Sequence, residues 1–108
     1  MRSTMPIRRD PMRFVVICRD VADSAPRRDS SLDDHRRYVD QRSQSLVASG
    51  PLVADDSDRR IGQFFLLDVE DRAAAESFVA EDPFTLAGVF ERVEVSRLLP
   101  RFDSGCRV

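Results

Sequence analysis

At 108 residues, with 42% apolar and 33% charged side chains, the chain has the makings of one domain around one modest hydrophobic core, and is too apolar for a disordered polymer. A formal charge of −2 excludes the broadly basic surface that non-specific phosphate binding needs, so no nucleic-acid partner is expected. No stretch approaches the ~20 consecutive apolar residues of a membrane span. All 17 basic residues are arginine, so no lysine is present to form a Schiff base.

Residues 1–11 carry two prolines and three arginines without periodicity, and read as a flexible extension that lacks the apolar region of a signal peptide. "MRFVVICRD" (12–20) is a β-branched and aromatic run, which predicts a strand, and the polar 21–29 segment with Pro26 reads as a loop. Ser30 and Ser31, each followed three residues later by an aspartate, predict a helix start, with Leu32, His35, Val39, Leu46 and Val47 at helical spacing behind them. The "SGP" at 49–51 then supplies a glycine cap and a proline stop, giving a helix over 31–49. A short strand follows at 51–55, a turn at "DSDRR", and a second apolar strand at 61–70. Asp71 predicts the N-cap of "RAAAESFVAE", whose helix ends before Pro83. Asp82 then caps a short turn with Pro83 in its first position, and "FERVEVSRL" (90–98) alternates as a strand covered on one side. Residues 100–108 read as a tail.

The order strand–helix–strand–strand–helix–strand predicts an α+β, ferredoxin-like antiparallel sheet over residues 12–99, with the first and third strands central. Those two strands are apolar on both faces, whereas two helices cover only one face of a four-stranded sheet. The uncovered face predicts a homodimer packed sheet against sheet.

Most chemical motifs are missing. The four glycines build neither a dinucleotide loop nor a P-loop, and Cys18 and Cys106 are too few for zinc, so neither cofactor nor metal is expected. "DDSD" (55–58) reads as a solvated turn, because Ile61 stands where a calcium loop needs glycine. The doublets Arg27–Arg28, Arg36–Arg37 and Arg59–Arg60 read as solvated faces, with anion binding as the alternative. What remains is His35, the sole histidine, and Asp82. In this topology the start of the first helix and the end of the second lie at one end of the domain. A histidine–carboxylate pair is therefore geometrically reasonable there, with the carboxylate fixing the tautomer of an acid–base imidazole. The alternatives are a satisfied core histidine and an ordinary helix cap.

"FVVICRD", then "DH" in a long helix, "SGPL", and "IGQFFLLDVEDRAAAESFVAEDPFTLAGVFERVEV" together resemble the YCII-related (YciI-like) family over residues 12–98. The resemblance implies a ferredoxin-like fold in dimeric α/β barrels of the muconolactone-isomerase type. It implies an active site centred on a histidine and an aspartate, which by motif are His35 and Asp82. Many members carry an arginine three residues before the histidine; here that position is Leu32, and Arg28 stands seven residues before. Members with an assigned reaction point to lyase-like or dehydrochlorinase chemistry on small hydroxylated rings. The expectation is thus a cytoplasmic dimeric enzyme acting without a cofactor on a small cyclic or enolisable metabolite. Arg28, Phe84 and the 55–61 hairpin would rim its cleft. The alternative is a non-catalytic dimeric module that binds a small metabolite or a partner protein.

Overall fold

The computed structural model describes residues 11–108, so the extension expected over 1–11 lies almost wholly outside the described residues. Strand β1 runs Met12–Asp20, helix α1 Ala25–Asp40, β2 Leu46–Val53, β3 Arg60–Val69, α2 Arg72–Ala80, α3 Pro83–Leu86 and β4 Phe90–Leu98. The four strands form one antiparallel sheet in the order β2-β3-β1-β4, which is the expected ferredoxin-like arrangement with β1 and β3 central.

The first helix departs from expectation at both ends. It begins at Ala25 rather than 31, because Pro26 falls in its first turn, where a missing N–H has no bond to lose. Asp33 and Asp34 are therefore mid-helix and exposed, not capping residues. It ends at Asp40 rather than 49, and a 3₁₀ turn at Ser43–Ser45 leads directly into β2. "SGP" is strand, not stop: Ser49 pairs with Phe65, Gly50 with Phe64 and Pro51 with Gln63. A proline survives there because β2 is an edge strand, with no further neighbour needing its N–H.

The later elements start where their caps direct. Asp71 accepts the Ala74 N–H at 2.8 Å at the start of α2, and Asp82 accepts the Phe84 N–H at 2.9 Å at the start of α3. Residues beyond β4 close a small hairpin, Phe102–Asp103 (β5) against Cys106–Arg107 (β6). Ser104 and Gly105, both at positive φ, turn it, and Arg13 ties it to β1 through Asp103 at 3.0 Å.

Alternation along β1 and β3 sends Phe14, Val16, Cys18, Phe65 and Leu67 to one face, where Tyr38, Ala75, Phe78 and Val79 of the helices complete the core. The other face carries Val15, Ile17, Phe64 and Leu66, paired in register and only half-buried.

Candidate active site

Four buried residues mark the inner stripe of α1: Arg28, Ser31, His35 and Tyr38, spaced three, four and three apart. His35 is 7% exposed and Asp82, at the junction of α2 and α3, is 0% exposed. The imidazole Nδ1 and Asp82 Oδ1 lie 2.7 Å apart, although 47 residues separate them. Oδ1 also accepts the Phe84 N–H, so one oxygen serves both as a helix cap and as the partner of the imidazole. Asp82 Oδ2 is buried without a partner, and the His35 Nε2 makes no hydrogen bond among the described residues. With Nδ1 turned to the carboxylate, Nε2 is the nitrogen left for proton transfer.

Both residues expected at the rim are buried; Arg28 still lines the neighbouring cleft, whereas Phe84 does not. Phe84 is 1% exposed and stacks on the imidazole, with ring centroids 3.7 Å apart and planes within 7°. Arg28, 6% exposed, contradicts the reading of Arg27–Arg28 as a solvated doublet. Its Nε and Nη2 grip both oxygens of Asp20, at 2.7 and 2.9 Å, and Nη2 also donates to the Gly62 carbonyl at 2.7 Å. Arg27 donates to the Gly88 carbonyl at 2.7 Å, while Arg36, Arg37, Arg59 and Arg60 are exposed as expected.

Asp20, Ser24 and Gly62 were invisible as site residues in the sequence, because each supports Arg28 rather than carrying chemistry. Ser24 donates to Asp20 Oδ2 at 2.6 Å. Gly62 is the one residue that fits its position: a Cβ there would lie 2.3 Å from the Cys18 carbonyl oxygen. The signal that could have placed Arg28 on the helix's inner face is its spacing, seven residues before His35, readable once the helix is begun at 25 rather than 31.

Beside this network lies a cleft of about 600 Å³, a volume suited to a small ligand. Val21, Leu32 and Ile61 give it apolar surface, and Arg36, Arg59 and Arg60 bring charge from α1 and the β2–β3 hairpin. Arg28 belongs to its wall, but His35 does not. Cys18, fully buried on β1, is no nucleophile. Burial, then the carboxylates of Asp82 and Asp20, push its thiol from 9.0 up to about 12 against the opposing pull of Arg28.

The model of the YCII-related domain matches residues 12–99, most of the chain. This chain belongs to the YCII-related domain family. Among solved structures, the YCII-related chain is similar to 5-chloro-2-hydroxyhydroquinone dehydrochlorinase (TftG) from Burkholderia phenoliruptrix AC1100, solved in complex with 2,5-dihydroxybenzoquinone. The two share 29% identity at a TM-score of 0.74, over 82% of this chain and 94% of that one. A Pseudomonas aeruginosa protein, PA3566, matches at 12% identity and a TM-score of 0.50, over 84% of this chain and 94% of that one, which is a likeness of fold alone. No curated protein matches the chain.

Proposed function

We propose that this YCII-related protein is a small enzyme in which His35 is the general acid–base group and Asp82 its orienting partner. Its substrate would be a small hydroxylated or enolisable ring. The observation that carries this is the buried 2.7 Å contact between Nδ1 and Asp82 Oδ1. It holds the imidazole in one tautomer and leaves Nε2 to take a proton from an acidic hydroxyl or carbon; a leaving group on the ring can then depart with its electron pair. Asp82 supports the cation that forms. The likeness to a dehydrochlorinase bound to a dihydroxybenzoquinone supports the same substrate class. The cleft walled by Arg28, Leu32 and the β2–β3 hairpin is the proposed approach to this dyad. Two unpaired cysteines suit a reducing, cytoplasmic setting.

The working unit proposed is a homodimer. Val15, Ile17, Phe64 and Leu66 form a contiguous apolar strip on the sheet face opposite the helices, and a second copy of the same face covers it.

A second reading has its own support: His35 does not line the cleft, as a binding module with a structural His–Asp pair would have it. Turnover of hydroxylated rings and binding of 2,5-dihydroxybenzoquinone by wild type, His35→Ala and Asp82→Asn, each checked by thermal melting, separate the two. The acid–base reading expects folded variants that have lost turnover, whether or not the quinone still binds. A wild type that binds the quinone without turning over any ring favours the module, and unfolding of both variants favours a structural pair.

A further inference from the structure

Arg28 and His35 project from the same face of α1, seven residues and so about 10 Å apart along the helix axis. Both side chains contact the Phe84 ring. The imidazole lies 3.7 Å from its centroid and nearly parallel, and the Arg28 guanidinium carbon lies 4.8 Å from the same centroid. An imidazole so close and so parallel covers its face of the ring, which leaves the guanidinium the opposite face. From this we propose that Phe84 is the plate that sets the plane of the His35 imidazole, and that Arg28 is a positioning residue that locks the plate from behind. The proposal rests on the reading of His35 as the acid–base group.

The physical need for such a lock is visible in the stack. Aromatic pairs avoid face-to-face overlap because their electron-rich faces repel, and prefer offset or edge-on contact. A cation over the far face draws ring density away from the imidazole side, and relieves that repulsion. The guanidinium is itself held fast, by the fork to both Asp20 oxygens and the bond to the Gly62 carbonyl. Phe84 is fixed at its other end by its N–H on Asp82 Oδ1. The division of labour follows. Asp82 fixes the direction of the Nδ1 bond, but one hydrogen bond leaves the ring free to rotate about its axis. The plate removes that rotation, and so aims Nε2. Neither Arg28 nor Phe84 then needs to touch the substrate.

Because His35 is the sole histidine, its imidazole proton signals are unambiguous in an NMR spectrum. The test compares wild type with Phe84→Leu, Arg28→Met and the double variant Asp20→Asn/Arg28→Met. The double variant avoids leaving Asp20 buried as an unpaired charge. Phe84→Leu is expected to move the Hδ2 and Hε1 signals downfield as the ring current is lost. The Arg28 variants are expected to move them the same way by a smaller amount, with the far-UV circular dichroism unchanged. Folded Arg28 variants that melt lower yet keep wild-type imidazole signals would overturn the proposal, because Arg28 would then only tie β1, α1 and β3 together. Unmoved signals in Phe84→Leu would overturn it too. Should neither Arg28 variant fold, wild type decides. Cross-relaxation between the Arg28 side chain and the Phe84 ring, with slowed ring flips, supports the lock; their absence overturns it. The signals are read without substrate, so failure here leaves the acid–base reading standing, while an intact stack in a protein without turnover would fault that reading alone.

Discussion

His35 and Asp82 are tied by a bond that the chain makes almost incidentally: the cap of a four-residue helix doubles as an imidazole's partner. Around it, Cys18 shows how closed this region is. Its thiol is raised first by burial, and its folded-state value of about 12 lies above the 9.0 of an unfolded chain. A group raised in the folded state contributes stability that is full below the unfolded value and is lost as pH climbs towards the folded one. Stability to urea is therefore expected to fall between about pH 9 and pH 12. Tyr38, raised by burial against the pull of Arg42, acts in the same direction. Cys18→Ala should flatten the part of that slope due to the thiol, so parallel urea titrations of wild type and variant across this range are the check. Wild-type Cys18 should also resist thiol reagents at pH 8 while Cys106, which is exposed, reacts. Equal labelling of both would show that the core opens far more readily than its packing implies.

At the scale of elements, Gly62 couples the two central strands to the site. A Cβ there meets the Cys18 carbonyl at 2.3 Å, whereas one at Gly50 meets nothing within 4 Å. Gly62→Ala is expected to cost ~2 kcal/mol or more, the scale of an overpacked core. That is a drop in melting temperature on the order of 10 °C for a domain of this size. Gly50→Ala should melt like wild type, and differential scanning calorimetry of the two variants tests the contrast. The same two glycines show what the sequence could reveal. The strands β1, β3 and β4 were legible because their apolar runs are short, β-branched and bounded by polar turns. The caps at Asp71 and Asp82 were legible because a cap is a local interaction. The first helix was not, since Pro26 suits a loop and a helix's first turn equally. "SGP" likewise suits a helix stop as well as an edge strand, and only pairing with β3 decides. The His35–Asp82 contact was reachable through topology alone. Arg28's burial was not, because it depends on Asp20 and the Gly62 carbonyl arriving from β1 and β3.

For the whole molecule, the proposed dimer follows from the strip of Val15, Ile17, Phe64 and Leu66. Light scattering at micromolar concentration is expected to give twice the 12.3 kDa chain mass, and Phe64→Glu to give the monomer. A wild-type protein that stays monomeric would contradict the sheet-to-sheet packing. The family and the fold set the frame, but the chemistry rests on one imidazole. The most direct measurement is turnover of a panel of chlorinated and unchlorinated hydroxyhydroquinones, lactones and keto acids, followed by chloride release and quinone absorbance, in wild type and His35→Gln. The expected result is turnover of at least one hydroxylated ring by wild type, and a loss on the order of 100-fold or more in a folded His35→Gln, as removal of an acid–base group produces. Undiminished turnover in the variant, or none by wild type on any member of the panel, would contradict the account.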